Sequence, residues 1–341
     1  MRQAISSWCQ RERGCAEPRV SVKSHHVDLF SRILPRHRIY LVEVEDKTHA
    51  RRELILKILD SEMSAREENN RLAELNRYFN ESDTRFGVPI PFAVFPQFRG
   101  LLMSRAPGKR LDKILWPSWF PFTASAQERS AAVGAVQKAS SWLAIFDKSS
   151  FHAGRPHILE AAKLVNDFRF ALDLCREHGL HARAIEAVGS WFSQFEDDLS
   201  ALASPCVPIC IFTPDHIFID RDKTTVVDFD ETGCGWPGQS LAIFIAHGDL
   251  KTGLGAALSQ EELHGYFLRS YMARTGFGEV HRQFFEVFYL LEFLETFAAP
   301  WDPNLKTSTP LARSYIRWKA RVAARHITER TKAGKWRTVL G

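Results

Sequence analysis

One short β-rich island constrains this chain more than any other feature. Residues 211–230 read IFTPDHIFIDRDKTTVVDFD, and the chain on either side carries helical periodicity. HIFI, DRDK and TTVVDF predict a strand, a turn and a second strand. Few soluble folds set a single hairpin inside a long helical stretch. The island also holds an unusual acid. Asp228 stands between Val227 and Phe229 in an apolar strand, where a carboxylate is costly unless it meets a metal or a cation.

The remaining segments sort around that island. RIYLVEVE and RELILKIL, separated by DKTHAR, predict an antiparallel hairpin from Arg38 to about residue 58. Ser64 with Glu67 suits a capping box, and a helix over about 64–80 would put Leu72, Leu75 and Phe79 on one face. Short strands are predicted near 90–96 and 99–104, then a Pro-Gly turn in RAPGKRL. Helices are predicted over about 127–148, 158–178, 181–203, 238–250, 259–274, 278–298 and 308–331. Among them Phe284, Phe285, Phe288, Leu291 and Phe293 form a stripe of core character. There is no internal repeat. The expected class is α+β, with an irregular segment at 1–25, a small β-rich lobe at 26–104, and a large helical lobe at 105–341 that contains the hairpin region 209–230.

Composition excludes more than it identifies. A chain of 341 residues, 45% hydrophobic and 25% charged, is long enough for one large domain or two lobes with a sizeable core. No apolar run reaches a membrane span, and the N-terminus lacks the apolar stretch of a secretory signal. The six cysteines, Cys9, Cys15, Cys175, Cys206, Cys210 and Cys234, form no CxxC pair and are expected as reduced thiols in a cytoplasm. The CxxxC pair Cys206 and Cys210 reads as buried thiols, because a metal would need more ligands. Net charge is +5, yet residues 311–341 alone carry +8. A solvated helix face accounts for that segment better than a nucleic-acid surface.

Several residues carry a resemblance to a known family. VVDFDETGCGWPGQSLAIF at 226–244, the Pro214 and IFID frame before it, LLMSRAPGKRL at 101–111 and WLAIFDK at 142–148 are together similar to the aminoglycoside phosphotransferase and choline kinase branch of the protein-kinase-like fold. The likeness spans roughly residues 30–300. It implies a two-lobed kinase-like fold that binds ATP and Mg²⁺ and phosphorylates a hydroxyl of a small molecule. By position, it implies metal binding by Asp228, Asp230 and His216, the last standing where the family has Asn. It implies phosphate binding by Lys57, oriented by Glu68 with Glu67 as the close alternative. Met103 and Arg105 would border the adenine, and Phe218 and Val227 stand either against it or in the core. Asp147 occupies the place of a family His.

The same frame exposes a loss. The family carries His-Gly-Asp where this chain has Ile209, Cys210 and Ile211, so the catalytic carboxylate is absent. Isoleucine can neither accept a proton nor orient a hydroxyl. Asp215, four residues on, is the candidate replacement, with Asp220 then copying the spacing to the metal ligand. A literal His-Gly-Asp does occur at 247–249, but no Asn or DFD follows it, and it reads as a helix end with a turn glycine. The resemblance therefore implies weak phosphotransfer. The alternative is a pseudokinase that binds nucleotide or a protein partner as a scaffold.

Overall fold

The computed structural model describes residues 1–13, 18–24, 38–45, 51–117, 124–149, 158–201, 203–205, 207–229, 233–251, 256–276, 278–301 and 310–333. They fall into two compact units. The first comprises Met1–Gly108 with Thr225–Asp230, and the second Lys109–Thr224 with Glu231–Gly341.

The first unit opens with helix α1 (Arg2–Arg13) and strand β1 (Arg19–Ser24). Residues 1–25, expected to be irregular, thus carry a helix and a strand. Ile5, Trp8 and Cys9 recur at helical spacing and are buried against Val42, Val44, Leu54, Leu56, Phe95 and Leu102, so tertiary packing secures a helix whose own period is short. Strands β2 (Arg38–Glu45) and β3 (Arg51–Ile58) form the expected hairpin, with Arg38 opposite Ile58. Helix α2 spans Glu62–Ser82. Its N-cap is Ser61, whose side chain accepts from the Ser64 amide, so the helix begins before the Ser64 cap that the sequence suggested. Strands β4 (Phe86–Gly87), β5 (Pro91–Phe95) and β6 (Gly100–Ser104) follow. The five-stranded sheet runs β1-β2-β3-β6-β5, antiparallel throughout.

Strand periodicity decides where β3 sends its side chains. Leu54 and Leu56 enter the core shared with α1, so Ile55 and Lys57 point to the opposite face. The alternation that buries two leucines therefore aims the lysine away from α1.

The second unit is mainly helical. It begins with β7 (Lys109–Arg110), α3 (Leu111–Leu115) and α4 (Ala126–Phe146). Strand β8 (Ile158–Glu160) precedes α5 (Ala161–Glu177), where a single helix was expected. Then come α6 (Ala182–Ala201), β9 (Ala203–Pro205), β10 (Val207–Ile209), β11 (Ile217–Ile219), β12 (Thr224–Val226) and β13 (Gly233–Gly235). Four helices close the chain: α7 (Gln239–Lys251), α8 (Gln260–Thr275), α9 (Glu279–Ala298) and α10 (Pro310–Ala333). Ser125 and Ser259 open α4 and α8 with reciprocal capping boxes.

The aromatic stripe of α9 packs as expected: Phe284, Phe285, Phe288, Leu291 and Phe293 are all buried. The basic C-terminal helix is also half core. Ile316, Ala320, Ala323 and Ile327 form its buried face, and its charges occupy the rest. Cys9, Cys175 and Cys210 are buried thiols. Cys234, in β13 opposite Pro208 of β10, is disulfide-bonded, which corrects the reading of all six cysteines as reduced. Cys15 and Cys206 lie outside the described residues, and so does the partner of Cys234. No CxxC spacing announced the bond because long-range strand pairing, not local sequence, governs this segment. No described helix is long and apolar enough to cross a membrane.

Candidate functional site

In the first unit three charged side chains meet. Lys57 and Glu68 are almost completely buried. The Lys57 ammonium lies 3.1 Å from Glu68 Oε1 and 2.7 Å from Asp228 Oδ1. The burial pattern of α2 chooses the glutamate. Ala65, Glu68, Leu72, Leu75 and Phe79 share its buried face, whereas Glu67 is exposed. Glu68 thus rides the apolar stripe toward the sheet face that carries Lys57.

Asp228 reaches the lysine through an unusual backbone. Its φ is +72°, a left-handed conformation that asparagine and aspartate tolerate better than most residues and that commonly marks functional positions. Fully buried Phe229 follows it, and Arg71 of α2 donates to the Phe229 carbonyl at 3.3 Å. The Asp228 side chain keeps 35% of its surface exposed, so one end of the triad is open to solvent. Asp230, the further candidate, lies outside the described residues. Among the described residues no group of three His, Cys, Asp or Glu side chains is arranged to hold a metal ion.

The adenine candidates separate. Met103 is buried in β6 opposite Ile55. Arg105 is exposed and ion-paired with Glu53. Val227 is half-buried in the first unit, while Phe218 belongs to the second, opposite Arg110 in the β7–β11 pair.

The second unit holds the loop between β10 and β11. Phe212 is fully buried, with its ring stacked 5.5 Å from Trp142 and tilted 5.5 Å from Phe244. Ser240 secures Cys210, accepting from its amide and donating to its carbonyl. The Asp112 amide donates to the Pro214 carbonyl. The loop is firmly held, and Ile211 occupies its partly exposed position. His216 Nδ1 lies 3.1 Å from the Ile211 carbonyl. A carbonyl can only accept, so this contact places a proton on Nδ1. Asp220 sits exposed at the hairpin turn, its amide donating to Lys223.

Asp215 Oδ1 lies 3.6 Å from the Lys251 ammonium. Burial alone would raise its pKa. Lys251, His216 and His247 outweigh that and hold the carboxyl well below the usual range. Asp147 behaves in the opposite way. Burial pushes it up to about 7, although Tyr271 donates a hydrogen bond to it. Burial, and then the nearby Asp147 charge, likewise drive the Cys210 thiol up.

The literal His-Gly-Asp at 247–249 lies at the C-terminal end of α7, as expected, but Gly248 is helical and not a turn glycine. A side chain at Gly248 would come within 2.9 Å of Leu263, so the glycine permits the close approach of α8. Asp249 is buried. It meets His264 at 2.8 Å and accepts from the Tyr289 hydroxyl at 2.5 Å. It ties three helices together.

Sequence reasoning missed the surroundings of Asp215. His247 and Lys251 share one face of α7 at i, i+4, the only local signal. Glu292 of α9 and Lys319 of α10 reach the same cluster from distant sequence positions.

A lysine held by a helix glutamate and an aspartate from a DFD segment, on a small antiparallel sheet followed by a helical unit, defines a protein of the kinase-like α+β fold. A family profile settles the membership: the phosphotransferase enzyme family matches residues 37–278, and the chain belongs to that family. Solved structures carry the same fold. Choline kinase from Cryptosporidium parvum Iowa II is similar with a TM-score of 0.58 and 11% identity, over 99% of this chain and 97% of that one. A choline/ethanolamine kinase family protein from Mesorhizobium loti has a TM-score of 0.55 and 13% identity, over 94% and 92%. Aminoglycoside 2'-phosphotransferase-IIIa, solved with GDP, has a TM-score of 0.54 and 12% identity, over 98% and 99%. No curated protein sequence matches the chain significantly.

Proposed function

We propose that this chain transfers a phosphoryl group from ATP to a hydroxyl of a small molecule, and does so slowly because Ile211 stands at the position of the family's catalytic aspartate. The buried triad carries the reading. Lys57 sits 3.1 Å from Glu68 and 2.7 Å from Asp228. The carboxylate oxygens of Asp228 suit a cation, while Lys57 suits phosphate oxygens. A nucleotide as donor is in keeping with the GDP complex of the aminoglycoside 2'-phosphotransferase. Met103, Arg105 and Val227 are assigned to the nucleotide on the family frame.

Asp228 offers hard carboxylate oxygens of the kind Mg²⁺ prefers. His216 offers an imidazole nitrogen, which suits softer metals. Asp228 thus suits Mg²⁺ better than His216 does. In the transfer, the acceptor oxygen attacks the γ-phosphorus, the bond from that phosphorus to the β,γ-bridging oxygen breaks, and ADP leaves. Asp215 is assigned to accept the hydrogen bond of the attacking hydroxyl, whose proton leaves to the transferred phosphoryl oxygens and solvent. A carboxyl held well below its usual range is ionised but weakly basic. Asp215 therefore orients the hydroxyl more than it abstracts the proton, as a loose phosphoryl-transfer transition state allows.

A second reading, a pseudokinase that binds nucleotide without turnover, is favoured by Ile211 alone. ATP consumption by the full chain against pooled hydroxylated metabolites tests the two. Acceptor-dependent ADP formation supports transfer. Stabilisation by Mg-ATP without any consumption supports the pseudokinase.

A further inference from the structure

We propose that the second unit binds a small organic anion, a carboxylate on a flat apolar body, in the cavity between the α5–α6 link, the end of α9 and the C-terminal half of α10. No residue lining that cavity belongs to the Lys57 triad or to the loop at 210–216. The site therefore stands or falls apart from phosphotransfer.

The cavity measures about 350 Å³, within the range of small-molecule sites. Its floor is apolar, made by the buried side chains of Leu180 and Phe297. Small residues keep it open. Ala324 and Thr328 lie about one turn apart on α10, beside the buried face that holds Ala323 and Ile327. The α5–α6 link reaches the cavity through a tight cap. The Leu180 amide donates to the Cys175 carbonyl at 2.9 Å, and Gly179 takes a φ of +83°, a left-handed conformation that favours glycine. A β-carbon at Gly179 would meet nothing within 4 Å. An aromatic surface adjoins the floor. Trp301, 45% exposed, is tilted 5.5 Å from Phe297 and stacked 4.5 Å from His178.

The rim supplies donors. Arg325 and Lys332 line it and are exposed. Among the described residues neither has a carboxylate within ion-pair distance. Exposed arginines elsewhere do find one, as Arg66 finds Glu62 and Arg85 finds Asp83. His181, also on the rim, accepts from the Arg183 amide at Nδ1, 3.2 Å away. An amide can only donate, so the ring carries its proton on Nε2 and adds a third donor. Glu329 is the one acid of the lining. Arg325 and Lys332 against Glu329 leave one net positive charge, which matches a monoanion better than a dianion.

Water alone would satisfy the two cations, but it would leave the apolar floor wet. A ligand with both parts meets both demands. Its carboxylate takes the planar fork of Arg325, a bidentate match, and its flat body covers Leu180 and Phe297.

Thermal unfolding of the full chain, at fixed pH and ionic strength, tests the site with phenylacetate as the probe. Acetate lacks the apolar body, benzyl alcohol lacks the charge, and benzylamine reverses it. Phenylacetate should raise the midpoint saturably, and none of these controls should match it at the same concentration. Phenyl phosphate should bind more weakly. Arg325→Gln should weaken the apparent affinity for phenylacetate about ten-fold. Ala324→Phe, which fills the cavity, should abolish binding. Melting without probe shows whether each variant is folded, and exposed Arg325 can be replaced with little effect on that melt. The proposal is overturned if phenylacetate does not stabilise the wild type or if acetate, benzyl alcohol or benzylamine does so equally. Tighter binding of phenyl phosphate overturns the choice of a monocarboxylate. Unchanged phenylacetate affinity in Arg325→Gln overturns the assignment to this cavity.

Discussion

The two units treat charge differently. In the first, Lys57, Glu68 and Asp228 form a triad whose lysine and glutamate are almost wholly buried. In the second, the loop at 210–216 is tied to Ser240 and carries Ile211 where the proposed reading looks for an acid. On the proposed assignment, the residues suited to holding phosphate and metal charge are present, and the residue suited to handling a proton is not. Phosphoryl transfer depends mainly on positioning and charge neutralisation. Under that proposal, a loss of rate is expected before a loss of binding.

Lys57→Met should break the comparison hardest. It leaves Glu68 buried without its ammonium, at a cost of about 3–5 kcal/mol. Urea unfolding measures the loss, and Lys57→Met/Glu68→Leu should recover most of it. Equal stability of the single variant and the wild type would mean that the triad is not a coupled unit.

Ile211→Asp sharpens the contrast from the other side. Restoring the acid should raise acceptor-dependent ATP consumption by about 10²-fold or more. An unchanged rate would show that the loop does not follow the family frame. Asp215→Asn should have a smaller effect, lowering wild-type turnover roughly ten-fold. Robust turnover in that variant would remove Asp215 from the reaction.

The smallest effect concerns pH. The folded-state pKa of Asp147 is raised from 3.8 to about 7, with burial as the main cause. Between those values the folded chain binds more protons at this residue than the unfolded chain. Stability from Asp147 is therefore present below about 4 and is lost as pH rises through about 7. Asp147→Asn, which keeps an acceptor for Tyr271, should flatten part of the decline in thermal midpoint between pH 5 and pH 8. A decline as steep as in the wild type would show that Asp147 does not cause it.

Much of this was legible in the sequence wherever local periodicity governs. The β2–β3 hairpin and helices α4, α6, α7, α8, α9 and α10 follow patterns of period 2 or 3.6 closely. Glu68 could be chosen over Glu67 because it lies four residues before Leu72 and seven before Leu75, on the same stripe. Helix α1 carried a weaker signal, with only Ile5, Trp8 and Cys9 at the right spacing, and the sheet it covers supplies its stability. Strands β10 and β13 were not legible, because Val-Pro-Ile and Gly-Cys-Gly show no alternation and pair only through the fold. The Asp215 cluster was hidden for the same reason. Its members come from a loop and three helices, and only His247 and Lys251 are neighbours in sequence.

The central claim is that the triad around Lys57 binds nucleotide even though the loop has lost its acid. The most direct test is the thermal midpoint of the full chain with and without Mg-ATP, in wild type and in Asp228→Ala. At 100 times the dissociation constant, linkage predicts about 2.7 kcal/mol of added stability in the wild type. Asp228→Ala should lose that shift. A wild type that ignores Mg-ATP, or an Asp228→Ala variant stabilised as fully as the wild type, would contradict the account.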